Sequence, residues 1–267
     1  MHDAFDFVMT EHAAWQHADG RVQRVFALDA GCWLATLQES KLTLDLLSGT
    51  GAEPVRDVFT LSKGLSTVPE LTAALRGLGS VVRFRNADLW DAIGTSIIRQ
   101  VIRAGQSKKL YRAFCQAHGE QVSLPDGTTY ALFPAPEIVL GLSDDQFSSI
   151  GMAFKRRPLK AAAEAYLEHG AKWRELAPDT LITELQAVPR IGPWTAHATV
   201  ADWSNDWSLY PYADLAVRTW AKRAAPGSDW PADEPAFGQT WRALAGEHLS
   251  SLTLLTLAWG SQHGDIG

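Results

Sequence analysis

Asp214 closes the segment Pro211-Tyr212-Ala213-Asp214 at the mouth of an amphipathic run, Leu215 to about Arg223. Twenty positions earlier, Trp194 opens another such run directly after Pro189-Arg190-Ile191-Gly192-Pro193. Proline lacks an N–H and disfavours helix in the residue before it, so this stretch is a sharp turn between two helices. Such a hairpin exposes backbone N–H groups that no helix can use, and these hold a phosphate without any basic side chain. A carboxylate twenty positions on is placed near whatever the hairpin grips. Taken alone, an aspartate before a helix is an N-cap. The spacing to the hairpin favours the chemical role, and one carboxylate can do both.

The elements that must position these groups are legible from periodicity. Leu181, Leu185 and Val188 recur at helical spacing before the turn, and Trp194 to about Trp203 follows it with small residues Ala196, Ala198 and Ala201. Upstream, Trp90, Ile93, Ile97, Ile98 and Val101 step along one helical face, with a break near Ala104-Gly105. A helix from about Gln106 to His118 then ends at Gly119 as a C-terminal cap. Residues 120–136 read as loop and turn. Ser143 with Gln146 forms a capping box, Lys155 to Pro158 lies between two helices, and the second of these runs from about Leu159 to His169. Residues 226–238 read as a Pro-rich loop before a last helix, roughly Thr240 to Trp259. The first 75 residues have strand character, clearest where Leu42, Leu44 and Leu46 alternate with Lys41, Thr43 and Asp45, with a helix near 67–78. The expected class is α+β, mainly α. A small N-terminal antiparallel sheet domain (1–80) precedes a two-lobed helical region (81–267) that contains the hairpin at 181–203.

Composition bounds the function classes. Hydrophobic residues make up 46% and charged residues 20% of the 267 positions, which is ordinary for a folded soluble chain. MHDAFDFVMTEH has no signal-peptide pattern, and no apolar run reaches the ~18 residues of a membrane helix. Cys32 and Cys115 provide neither a disulfide framework nor the four thiolates of an iron–sulphur cluster. No cofactor is required on this reading, and the cytoplasm is the expected compartment. The net charge of −6 counts against a nucleic-acid partner, but its distribution softens that. Residues 76–112 carry eight basic side chains against two acidic ones, and 155–174 carry six against two. Local clustering makes an electrostatic footprint; a solvated helix face is the other reading of each run.

The pattern Leu185-Gln186-x-Val188-Pro189-x-Ile191-Gly192-x-Trp194-Thr195-Ala196, followed by Pro211-x-x-Asp214-Leu215-x-Val217-Arg218, resembles the helix-hairpin-helix DNA glycosylase superfamily. Its closest branch is the bacterial 3-methyladenine DNA glycosylase II type. The resemblance covers most of residues 84–223. It implies a nucleoid-associated monomer that flips a damaged base, an alkylated purine, from duplex DNA into a cleft with Asp214 at its floor. There the carboxylate would stabilise positive charge on the sugar as the N-glycosidic bond breaks. It further implies DNA contacts at Gln186, Val188, Arg190, Gly192 and Thr195, and a base pocket with Trp194 and Tyr212. Carbonyls of Gln186, Val188 and Arg190 would hold a monovalent cation. Gln100 would be followed by an apolar wedge, Val101, filling the gap left by the base; an ordinary core valine is an equal reading, as a core position is for Trp194.

Three departures accompany the match. Relatives with lyase activity carry a lysine where this chain has Trp194, so no amine is available there for a Schiff base. Arg190 stands where the family has glycine. Ala198 and the segment His248-Leu249-Ser250-Ser251-Leu252 replace pocket aromatics, which opens the choice of lesion. Two competing readings are a helix-hairpin-helix protein that binds without cutting, and an enzyme for another lesion or N-glycoside.

Overall fold

The computed structural model describes residues 5–28, 30–62, 65 and 68–264. The chain begins with strands β1 (Phe7–Val8), β2 (Gln16–Ala18), β3 (Arg21–Leu28), β4 (Gly31–Gln38), β5 (Lys41–Gly49) and β6 (Arg56–Phe59). Helix α1 (Pro69–Arg76) and strand β7 (Val81–Phe84) lead to helices α2 (Leu89–Arg99) and α3 (Ala104–His118). Strands β8 (Gln121–Ser123) and β9 (Thr129–Ala131) come next, then α4 (Pro136–Gly141), α5 (Asp144–Ser149) and α6 (Arg156–Trp173). The remainder is α7 (Pro178–Gln186), α8 (Pro193–Ser204), α9 (Leu215–Ala224), α10 (Glu234–Ala245) and α11 (Leu249–His263). The α+β class with an N-terminal antiparallel sheet and a helical remainder is as expected.

Contacts group the chain into two units, one of residues 1–10, 56–85 and 205–267, the other of 11–55 and 86–204. This grouping does not follow a single cut after residue 80. The chain instead leaves the first unit and returns to it twice.

In the first unit β7 lies between β1, which it pairs in parallel (Phe7 opposite Val81), and β6, which it pairs antiparallel (Val58 opposite Val82). Its register is set by complete burial of Val81, Val82, Arg83 and Phe84. The buried guanidinium of Arg83 is satisfied by the Asn205 side-chain oxygen and the Phe84 carbonyl, and its face lies 4.6 Å from the Trp207 ring. The expected single last helix is two. Gly246 adopts φ 52° and breaks α10 from α11, and Asp233 caps α10 through Ala236 N, so the Pro-rich stretch ends in a helix.

In the second unit β2 to β5 form an antiparallel meander in sequence order. Residues 120–136 are not only loop: β8 and β9 pair across Leu124–Thr128, and Tyr130 packs with Val25, Leu34 and Leu124. Gly119 is extended (φ −82°) rather than left-handed, and its role is close approach. A Cβ there would lie 1.9 Å from the Leu132 carbonyl oxygen. Helix α2 is the axis of the unit, buried at every position from Leu89 to Ile98 and packed on α8, α6 and α3. The break before α3 falls at Gln100–Arg103 rather than at Ala104-Gly105. Lys155 ends a 3-10 turn and α6 begins at Arg156, which puts Pro158 in the first turn, where a missing N–H costs nothing. Ser143 and Gln146 form the expected capping box.

Candidate nucleic-acid interface and carboxylate

The hairpin is built as its prolines dictate. Buried Leu181, Ile182 and Leu185 anchor α7, and Ile191 N then donates to the Val188 carbonyl at 3.1 Å. With proline second and φ 71° at Arg190 third, this is a type II turn. A non-glycine residue there carries strain of about 1 kcal/mol. Gly192 is exposed and has no atom within 4 Å of where a Cβ would lie, so another backbone can come close. Helix α8 starts at Pro193, and its first-turn amides face the same side as any helix N-terminus, the end that attracts anions.

Gln100 ties this hairpin to the end of α2. Its Nε2 donates to Thr195 Oγ1 at 2.8 Å and to the Arg190 carbonyl at 3.2 Å. Its own carbonyl accepts from Lys155 Nζ at 2.7 Å. Lys155 is 2% exposed, and burial pulls its pKa down to about 8. The next residue, Val101, has φ 59° and is fully exposed at 103%. It is not a core valine. A β-branched residue in the left-handed region is an outlier that only a constrained surrounding maintains. Phe154, which sequence reasoning passed over, is 57% exposed, with Lys155 Nζ 5.1 Å from its ring centre. Because Lys155 reaches Gln100, two exposed apolar side chains stand on neighbouring turns. Trp194 is half-buried, with the Arg99 guanidinium 5.5 Å above its ring.

In the other unit, Asp214 is half-buried at the N-cap of α9. Its Oδ1 accepts from Val217 N at 3.0 Å. Its Oδ2 accepts from the Tyr210 hydroxyl at 2.7 Å. Tyr210 is itself buried against Trp207, ring centres 5.0 Å apart. Tyr212 is part-buried with the Arg242 guanidinium 5.7 Å from its ring centre, and Gly238 lets α10 approach Ala213 beside it.

No family model matches the sequence, and no curated protein matches it. Solved structures do. One is described as MBOgg1 in complex with a low affinity DNA ligand, with TM-score 0.71 and 16% identity over 98% of this chain and 94% of that one. An Archaeoglobus fulgidus 3-methyladenine DNA glycosylase superposes with TM-score 0.67 and 15% identity, covering 94% and 91%. A Clostridium acetobutylicum 8-oxoguanine glycosylase/lyase bound to double-stranded DNA, with cytosine opposite 8-oxoguanine, gives TM-score 0.70 and 12% identity over 96% and 90%. The fold is that of the helix-hairpin-helix DNA glycosylases.

Within the glycosylase fold, the residues expected to meet DNA gather in one unit. Gln100, Arg190 and Thr195 are joined by the bonds just described, Val101 follows Gln100 in the chain, and Gly192 lies in the same turn. Gln186 is exposed at the end of α7, and Val188 is buried by its side chain while its carbonyl serves the turn. The Val188 carbonyl accepts from Ile191 N and the Arg190 carbonyl from Gln100 Nε2. Among the described residues no group of three or more His, Cys, Asp or Glu side chains is placed to hold a metal ion, and no helix is long and apolar enough to cross a membrane. A buried polar cluster that sequence reasoning missed lies at the other end of α2. Asp91 there accepts from Tyr111, Thr95 and Asn86, and burial raises its carboxyl to about 7 despite Arg24 nearby.

Proposed function

We propose that the protein is a DNA glycosylase of base excision repair, which extrudes a damaged purine from duplex DNA and hydrolyses its N-glycosidic bond. The observation that carries this reading is Val101. A protein that only grips phosphate has no use for a strained, fully exposed valine bonded through Gln100 to its hairpin. A protein that opens base pairs does, because an apolar side chain replaces the stacking lost on extrusion.

In this mechanism the amides at Gly192 and in the first turn of α8 hold a phosphate of the damaged strand, with the Arg190 side chain as a charged contact beside them. A monovalent cation on the carbonyls of Gln186, Val188 and Arg190 would add positive charge at that phosphate. Val101, with Phe154 on the adjacent turn, fills the gap in the helix. The half-buried indole of Trp194 offers the flipped base an aromatic face. As the glycosidic bond stretches, the sugar gains positive charge, and Asp214 stabilises it and orients the attacking water. The Tyr210 hydroxyl holds Oδ2 in place for this, while Oδ1 remains fixed by Val217 N. Trp194 supplies no amine, and the amine of Lys155 is buried on Gln100, so the product is an intact abasic strand.

An alkylated purine is the favoured lesion, since an electron-poor base stacks well on indole. The absence of an aromatic at Ala198 favours a second reading, an oxidised purine. The experiment is base release by the protein and by Asp214→Asn from duplexes carrying 3-methyladenine-type, 7-methylguanine, hypoxanthine, ethenoadenine or 8-oxoguanine lesions, scored with and without alkali. Strand breaks that require alkali and vanish in the variant support the proposal and name the lesion. Duplex binding with no release from any of them overturns it in favour of a binding module.

A further inference from the structure

A cavity lies away from the hairpin. It occupies about 590 Å³ inside the second unit, at the N-terminal end of α2, some 15 Å along that helix from Val101 by the rise per residue. Its size is that of a small-molecule site. Its walls include Trp90, Tyr130, Phe133 and Tyr166. Two of its lining side chains hold polar atoms that are buried and make no hydrogen bond, Arg24 Nε and His118 Nε2. Arg24 is 4% exposed, so its spare N–H has no access to bulk water. Buried donors in folded proteins are almost always paired, and an orphan lining a cavity points to an absent partner.

The surroundings limit what that partner is. Asp91 does not serve Arg24 Nε: its oxygens already accept from Tyr111, Thr95 and Asn86, and its ion-pair distance to Arg24 is 3.9 Å, from Nη2. The charged lining is Arg24 and Arg174 against Asp88, Asp91 and Glu120, which disfavours an anion. Aromatic walls, one buried N–H donor and no excess of positive charge suit a neutral, planar ligand with a carbonyl at its edge. We infer that this cavity is a binding site for a purine nucleoside or free base bearing a carbonyl group, separate from the DNA-binding hairpin. The single unpaired N–H of Arg24 Nε would donate one hydrogen bond to that carbonyl. The inference is independent of the glycosylase reading.

The test is calorimetric titration of the full chain with guanosine, inosine, adenosine and guanosine 5′-monophosphate. Guanosine and inosine are expected to bind, adenosine and the monophosphate at least tenfold more weakly. Arg24→Met should raise the guanosine Kd at least tenfold. Since that variant alters the buried cluster, Ile138→Trp provides a second check: Ile138 is 48% exposed at the rim, so the change blocks the mouth without disturbing the core. It too should weaken binding at least tenfold, with circular dichroism unchanged. Asp214→Asn should bind as the parent does. No saturable heat with any of the four ligands overturns the inference, as does binding that survives Ile138→Trp or is lost in Asp214→Asn.

Discussion

The ammonium of Lys155 lies 2.7 Å from the carbonyl oxygen of Gln100, and it thereby holds the turn that presents Val101. This bond ends a line that runs from Lys155 through the Gln100 backbone and side chain to the Arg190 carbonyl and Thr195. Lys155→Met removes it, and losing a buried hydrogen bond from a charged donor costs about 1.5–3 kcal/mol. Thermal unfolding should show the loss, with a parallel fall in base release. The pH dependence has a definite sign. Burial depresses the folded pKa of Lys155 to about 8, below its unfolded value, so the unfolded chain binds more protons above that. Its contribution to stability therefore grows as pH rises from about 8 towards the ordinary lysine value and is lost as pH falls back through 8. The methionine variant should lack this slope.

Val101→Gly separates stability from function. Glycine accepts φ 59° without strain, and the parent side chain buries nothing, so the midpoint of thermal unfolding should stay or rise. Release of a base from duplex DNA should fall roughly tenfold, about 1.4 kcal/mol of barrier. A single-stranded substrate, which needs no gap filled, should lose much less.

Arg190→Gly relieves the same kind of backbone strain in the hairpin. Unfolding should be unchanged within about 0.5 kcal/mol or slightly stabilised, the released strain offsetting the greater freedom of the unfolded glycine. Duplex affinity should drop, and the slope of log K against log salt should shrink by about one, because one phosphate contact no longer displaces a counterion. An unaltered salt slope would remove Arg190 from the phosphate contact.

Tyr210→Phe deletes the hydroxyl that donates to Asp214 Oδ2. A stability loss of about 0.5–1.5 kcal/mol is expected, with kcat reduced several-fold and duplex affinity unchanged. Equal losses in binding and turnover would mark Tyr210 as a support of the fold alone.

The helices of the site were legible because their signals are local. Pro189 and Pro193 bracket the turn, Leu181 and Leu185 set the face of α7, and Asp214 caps where it was expected to. What was not legible depends on residues far apart in the chain. Nothing near Lys155 in sequence points to Gln100, 55 positions earlier. Tyr210 was invisible for a different reason, since one hydroxyl among several aromatics carries no periodicity. Val101 had two equal readings, an apolar wedge and the last core residue of α2, because Ile97 and Ile98 precede it at core spacing. The helix ends at Arg99, and the residue that continues its pattern points to solvent instead. Gly119 and Gly246 show how a glycine is misread: the first yields space to Leu132, and the second splits what looked like one helix. The sheet β8–β9 was read as loop because Pro125-Asp126-Gly127 was weighed without the alternation on either side of it.

The unit that contains Asp214 draws on residues 1–10, 56–85 and 205–267, whereas its neighbour is complete by residue 204. On a ribosome the chain emerges in that order, and domains form as their segments become available. The hairpin and its Gln100 anchor can thus assemble while the carboxylate is still unsynthesised. Strands β1 and β7, already made, wait for Asn205 to satisfy Arg83. On the proposed reading, the part that would hold DNA is made before the carboxylate that would act on the base, and a chain stalled late in translation would have the first without the second.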